Sequence, residues 1–377
     1  MDSSLNKKLK DVQWGEYRIG DLFEKLKTNN LKMKVGDLSP KKIAEFTLPV
    51  LTAGIENQGL NNYAPRDNAT ILKNVISISA NGANTGATFY QNKEFTVLQD
   101  AYAISFKEEY IPNDNQYLFL TGAIAKSIYG NFAWTDKAGW EKVKKEFIQL
   151  PTKDGKIDFE FMDDCIRELE EERIRELSAY LTVSGLDNYE LSSEEKESLD
   201  AYGSIMFGEC KFKDIFDKIK QGRRLKKDDQ IAGNIPFVMS GRTNTGVVGY
   251  ISNPIALFPK NSITIDIFGN SFYRSYDFGA GDDTGVYWND KTQYSKEAML
   301  YLTTAMEKTL LGKYSYGKKL RSSQSFNFKM QLPTKDGKID FSYMELLISA
   351  VQKLVIKDVV LYADEKIQST KKIVKEN

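Results

Sequence analysis

Arg242 and Asn244 stand in GRTNTG (241–246), a turn flanked by glycines. Arginine offers paired N–H donors that match the O6 and N7 acceptors of guanine, and an asparagine amide matches the N6 and N7 of adenine, so this turn has the chemistry of a base-edge reader. An ordinary turn explains the same residues, since asparagine tolerates left-handed backbone. Just upstream, Arg223, Arg224, Lys226 and Lys227 form a cluster. Cations there pair with phosphates and set position and salt dependence rather than sequence, unless the run is simply solvated surface. KKLRSSQS (318–325) adds Lys318, Lys319, Arg321 and Gln324 after two tyrosines.

The first half of the chain has asparagines where the second has cations. Asn57, Gln58, Asn61 and Asn62 occupy the counterpart turn, Asn81, Asn84 and Thr85 occupy SANGANTG, and Lys137 follows Trp134. The amides suit adenine and the threonine methyl suits thymine. The glycine-rich SANGANTGATF would also cradle a phosphate, but it matches neither GxxxxGK[ST] nor GxGxxG, which leaves plain turn structure as the competing reading. Tyr63, Tyr250, Phe89, Phe132 and Tyr314 read as core aromatics rather than stacking platforms. The acidic run ELEEERIRE (168–176) reads as a solvated helix face, or as a surface for a basic partner.

The residues that are missing narrow the chemistry further. The sequence has no histidine, which removes Ser/His/Asp hydrolysis, Cys/His proteolysis and HExxH metalloproteases. Cys165 and Cys210 are the only cysteines and sit in dissimilar contexts, which points to a reducing cytoplasm rather than a disulfide framework or zinc cluster. Neither the [DNS]PP[YF] motif of amino-methyltransferases nor a glycine-rich cofactor motif is present. Carboxylates such as Asp266 and Asp282 are what a stand-alone metal-dependent nuclease would use, yet Asp282 and Asp283 have no third ligand at a recognisable spacing.

The elements that must position these turns come in two copies. QLPTKDGKIDF occurs at 149–159 and again, unchanged, at 331–341. YRIGDLFEKLK (17–27) faces CKFKDIFDKIK (210–220), LPVLTAGIENQGLNNY (48–63) faces IPFVMSGRTNTGVVGY (235–250), and NVISIS (74–79) faces NSITID (261–266). A repeat of about 185 residues is a duplicated domain, not a solenoid. In each copy the spacing predicts a short helix (21–27 and 214–220). Short β-branched and aromatic strands follow, and then a helix near 115–128 or 295–310.

After each QLPTKDGKIDF comes a long amphipathic helix. The first carries Met162, Ile166, Leu169, Ile174, Leu177 and Leu181 and ends at Gly185. The second runs from Tyr343 to about Val374, with SYME (342–345) as its expected capping box. A short helix capped by SSEE (192–195) leads on to Ala201. At 1.5 Å per residue the long helices span about 35 and about 50 Å, and their economical packing is an antiparallel pair.

Size and charge agree with a two-part chain. Its 377 residues fit two domains of about 150 residues with helix to spare, and 41% apolar with 12% aromatic residues supports packed cores. The net charge of zero is a sum of unlike parts: +7 over 203–330, +2 over 1–148 and −10 over 149–202. No run approaches the roughly 18 apolar residues of a membrane span, and MDSSLNKKLK lacks the apolar stretch of a signal peptide.

Globule, helix, globule, helix in one chain resembles the specificity subunit of Type I restriction-modification systems. It is equally similar to the recognition subunit of the smaller Type IIB systems that cut on both sides of a bipartite site. The resemblance covers essentially the whole chain. It rests on WGEYRIGDLFE (14–24), the segments ending in GIENQGLNNY and GRTNTGVVGY, and the LPTKDGKIDF joint. It implies an α/β (α+β) fold with two target-recognition domains, 1–150 and 203–332, each reading a few base pairs of double-stranded DNA. Spacer helices at 151–202 and 333–377 would dock two DNA methyltransferase subunits, joined in Type I enzymes by nuclease-translocase subunits. The chain would then be a non-catalytic cytoplasmic subunit with no membrane role, and S-adenosylmethionine, magnesium and ATP would belong to its partners. A first helix of about 35 Å matches one turn of B-DNA, so an asymmetric bipartite target with an unread gap is expected. The rival classes are a stand-alone metal-dependent nuclease and a protein–protein interaction module.

Overall fold

The duplicated QLPTKDGKIDF folds the same way in both places. In the computed structural model, which describes residues 4–107 and 110–376, it forms strands Phe147–Lys153 and Lys156–Ile157, and again Lys329–Lys335 and Lys338–Ile339. The Asp–Gly pairs between them have φ of 52° and 74° at Asp154 and Gly155, and of 51° and 74° at Asp336 and Gly337. Positive φ at both central positions is what a two-residue hairpin needs to match the twist of its strands. Asp158 and Asp340 then accept from the N–H of Phe161 and Tyr343, each at 2.9 Å, and so cap the long helices Phe159–Val183 and Phe341–Glu376. The second cap is therefore Asp340 and not the expected SYME box, because Phe341 is already helical and the aspartate immediately before it holds the N-cap place. With 25 and 36 residues, the helices are about 37 and about 54 Å long.

The chain divides into two compact units, Met1–Leu177 with Ile367–Asn377, and Ser178–Lys366. In the first, strand Gln13–Arg18 pairs with Phe147–Lys153, and a four-stranded antiparallel sheet runs in the order Phe23–Lys25, Ala101–Phe106, Val75–Ser79, Thr88–Gln91. A smaller sheet holds the hairpin Leu48–Leu51 and Leu60–Ala64 beside Thr96–Val97. Helix Asp114–Ile128 packs Tyr117, Leu120, Ile124 and Ile128 against Ile76, Ile78 and Ile104 of the larger sheet.

The second unit repeats this topology: Phe207–Lys211 on Lys329–Lys335, then Lys218–Gln221, Thr284–Trp288, Ser262–Asp266, Ser271–Arg274, and a smaller sheet carrying the hairpin Ala232–Val238 and Val247–Ile251. Its helix Lys296–Leu310 packs Met299, Leu302, Met306 and Leu310 against Ile263 and Ile265.

The short helices of the sequence reading are shorter and earlier than expected, Ile19–Leu22 and Phe212–Ile215, and strands Phe23–Lys25 and Lys218–Gln221 take up part of what remains of each segment. Pairing with a neighbouring strand overrides local helical spacing there. Each long helix is tied to its own unit at an equivalent place. Asn113 caps Asp114–Ile128 and donates to Asp163 at 2.9 Å, while Ser295 caps Lys296–Leu310 and donates to Glu345 at 2.6 Å. Helix Ser193–Asp200, with Ser192 and Glu195 forming its capping box, is bound to the second long helix through Glu195, which accepts from Ser349 at 2.6 Å and Lys353 at 2.9 Å. The acidic run 168–176 pairs within its own helix in part, Arg173 with Glu176 at 2.6 Å.

Candidate nucleic-acid interface

Both hairpin turns are built on a pair of left-handed residues. Asn57 and Gln58 have φ of 46° and 57°, and Asn244 and Thr245 of 48° and 51°. Gly59 and Gly246 follow; a Cβ on the first would lie 2.9 Å from the Thr52 carbonyl oxygen, and on the second 2.6 Å from that of Met239. The turn geometry alone thus accounts for asparagine at 57 and 244, while both side chains remain at the surface.

Arg242 precedes the second turn with its side chain 72% exposed. Its Nε donates to Asn270 Oδ1 at 2.7 Å, and Asn270 Nδ2 in turn donates to Asp266 Oδ2 at 2.8 Å. One terminal nitrogen lies 3.8 Å from Glu307. Asp266 is 4% exposed and also accepts from the Ser240 hydroxyl and from the backbone N–H of Gly241, Phe268 and Asn270. Those donors engage both of its oxygens, so the carboxylate that a nuclease reading would give to metal is spent on fixing the start of the turn. Asp283 accepts from Ser240 N–H at 3.0 Å, and the Asp282 carbonyl accepts from Gln221 and Arg321.

The cations of the second unit gather around the same place. Arg223, Arg224, Lys226 and Lys227 are all exposed. Arg223, Arg224 and Arg321 line a cleft of about 940 Å³ beside Asp282. Arg224, Lys226 and Lys227 line a second, of about 600 Å³, that reaches Met239 at the base of the hairpin. Gln324 accepts from the Arg321 N–H at 2.9 Å, a capping bond that occupies its amide oxygen. Lys318 and Lys319 are exposed, lying 5.8 Å over Tyr314 and 4.7 Å over Tyr316.

In the first unit the expected readers divide. Asn57 and Asn61 are exposed, whereas Asn62 is buried. Asn81 donates to Asp100 at 2.9 Å, and Asn84 is half-buried. Thr85 is corrected: it is 3% exposed and its hydroxyl accepts from the Ala138 N–H at 2.9 Å, so its methyl is out of reach of a base edge. That bond does bring the 81–86 loop beside exposed Lys137.

With this geometry in place, residues 11–179 and 207–360 each match the model of the Type I restriction modification DNA specificity domain. The chain belongs to that family. The specificity subunit S.BcgI of a Type II restriction enzyme from Heyndrickxia coagulans is 24% identical over 250 residues, 65% of this chain and 69% of that one. The S subunit of a Type I restriction-modification system from M. genitalium matches the fold with a TM-score of 0.57 over 96% of this chain and 94% of that chain, at 16% identity. The HsdS subunit from Thermoanaerobacter tengcongensis aligns over 93% and 91% of the two chains at 12% identity, with a TM-score of 0.30. This is a restriction-modification specificity subunit with two recognition domains. Among its described residues, no helix is long and apolar enough to cross a membrane.

Three features of the specificity domains escaped the sequence reading. Trp134 and Tyr316, 74% and 82% exposed, occupy the tips of equivalent tight loops closed by the bridges Ala133↔Asp136 and Ser315↔Lys318; the repeat register was the signal that would have paired them. Tyr250 is exposed where a core position was expected, because the outer face of its hairpin is open. Arg274 is 1% exposed, and burial pushes its pKa below the ordinary value, opposed by its bond to the Tyr276 hydroxyl.

Proposed function

We propose that the subunit binds double-stranded DNA through both recognition domains and reads an asymmetric bipartite target, one half-site per domain. The methylation chemistry belongs to the DNA methyltransferase subunits that dock on it. One observation carries this reading. The same left-handed turn stands on the equivalent sheet in both units, yet presents Ile55 and Asn57 in one and Arg242 and Asn244 in the other. A common mount with unlike tips is what two readers of unlike half-sites require. Arg242 reads a guanine edge and the exposed first-unit amides Asn57 and Asn61 read adenines, while Arg223, Arg224, Lys226 and Lys227 hold phosphates.

Repeated apolar clefts support two copies of one partner. In the first unit Leu5, Leu9, Trp14, Leu118 and Phe147 line a cleft of about 1010 Å³. In the second Tyr202, Phe207, Tyr301, Leu347 and Val351 line one of about 690 Å³. Exposed Leu354, Val355 and Tyr362 continue an apolar face along the second long helix. S-adenosylmethionine, magnesium and ATP act in the partners, with nuclease-translocase subunits in a Type I assembly, and the complex works in the cytoplasm.

The test is co-expression with the methyltransferase, followed by mapping of methylated adenines across a genome. Methylation at two unlike half-sites with a fixed gap is expected. Methylation at a continuous site would overturn the two-reader model, and magnesium-dependent cleavage by the purified chain alone would overturn its non-catalytic role.

A further inference from the structure

Arg274 closes strand Ser271–Arg274, opposite Ser262 in the register, and is among the largest fully buried side chains. A buried guanidinium ordinarily needs a carboxylate. Here its donors go to neutral oxygens: Nε to Thr264 Oγ1 at 3.0 Å, Nη1 to Thr245 Oγ1 at 3.1 Å and to the Tyr276 hydroxyl at 3.3 Å, and Nη2 to the Thr245 carbonyl at 2.6 Å. The rings of Phe272 and Phe278 lie 5.4 and 6.0 Å from the guanidinium carbon. Thr245 is the second left-handed residue of the GRTNTG turn, at φ 51°. That region is costly for a β-branched residue unless the surroundings enforce it. The buried guanidinium does so by gripping its carbonyl and its hydroxyl together.

The first unit has the same device in different chemistry. Gln91 closes strand Thr88–Gln91, opposite Val75 in the register. Its Nε2 donates to Ser77 Oγ at 3.1 Å and to the Gln58 carbonyl at 3.4 Å. Ser77 matches Thr264 in the repeat, and Gln58, left-handed at φ 57°, matches Thr245. A long polar side chain therefore reaches the same two acceptors in both diverged copies, although its own identity has changed.

We propose that Arg274 and Gln91 are positioning residues for sequence readout. Each holds, from behind the hairpin, the left-handed turn whose outer side chains meet the bases, and so sets half-site specificity without touching DNA. This rests on the reading that those turns face DNA.

The experiment uses the full chain in complex with its methyltransferase. Discrimination between the target and duplexes mutated in one half-site is measured, with affinity for random DNA at the same salt as the control. Arg274→Met should lower discrimination at the second half-site about tenfold, the scale of freeing a strained turn, and leave the first half-site unchanged. Arg274→Gln, copying the first unit, should retain most of it. Thr245→Asn added to Arg274→Met should restore it, because asparagine holds left-handed backbone unaided. Gln91→Leu should loosen the first half-site only, and it decides the matter if Arg274→Met does not fold. Equal losses on target and random DNA, or no rescue by Thr245→Asn, would overturn the positioning role. A wild-type complex that discriminates at neither half-site would instead overturn the reading on which it rests.

Discussion

Arg242→Ala separates base reading from phosphate holding. A bidentate arginine contact to a guanine edge contributes about 1–3 kcal/mol of discrimination. The bond from Nε to Asn270 can persist in the complex, since it engages neither terminal nitrogen. The Glu307 contact at 3.8 Å must open, and an exposed pair of that kind is worth less than about 1 kcal/mol. The net loss for Arg242→Ala is then about 1–2 kcal/mol on the target, or roughly 5- to 30-fold in affinity. Lys226→Ala should weaken target and random duplexes alike and reduce the slope of log K against log salt by about one unit. Titrations of target, singly mutated and random duplexes at several salt concentrations make the comparison. If Arg242→Ala lost equally on target and random DNA and reduced the salt slope as Lys226→Ala does, Arg242 would be a phosphate contact and the base-edge assignment would fall.

Further outcomes follow from the mount beneath the readers. Gly246→Ala places a Cβ 2.6 Å from the Met239 carbonyl at φ 84° and should cost about 2–3 kcal/mol in urea unfolding. Gly249→Ala, in the same hairpin with nothing within 4 Å of its Cβ, should cost less than about 0.5 kcal/mol. Asp158→Ala and Asp340→Ala each remove a helix cap and should cost about 1 kcal/mol apiece, read as lowered urea midpoints. Burial raises the Glu195 pKa, but bonds from Ser349, Lys353 and the Ser192 N–H outweigh it and hold the carboxyl below its ordinary 4.5. Its stabilisation is therefore complete above that value and is lost as pH falls through the lower folded-state pKa. Glu195→Gln should flatten the decline in urea midpoint below about pH 5.

The duplication was legible because the sequence repeats in order, and with it came two units, two long helices and two hairpin turns. The strand–turn–strand–cap joint could be read because Asp–Gly and a following aspartate act on their immediate neighbours. Short helices at 21–27 and 214–220 were misread because strand pairing, invisible locally, took their second halves. Thr85 was misread for a related reason: its hydroxyl serves Ala138, far along the chain, and nothing in SANGANTG marks that inward turn. Asp266 and Arg274 have the same character. Both look like surface chemistry in sequence, and both are buried struts that hold the second hairpin turn, Asp266 at Gly241 and Arg274 at Thr245.

The identical joints give the gene a simple route to new targets. Both end a recognition domain with the same Asp–Gly turn and start its helix on the same aspartate cap. A crossover between them closes on an unchanged turn and cap, whichever domain lies upstream. One exchange can therefore replace, add or delete a whole half-site specificity in frame, and no backbone at the seam has to be rebuilt. On the proposed reading, substitution at the hairpin tips would change a specificity residue by residue, whereas recombination at the joints would exchange it whole.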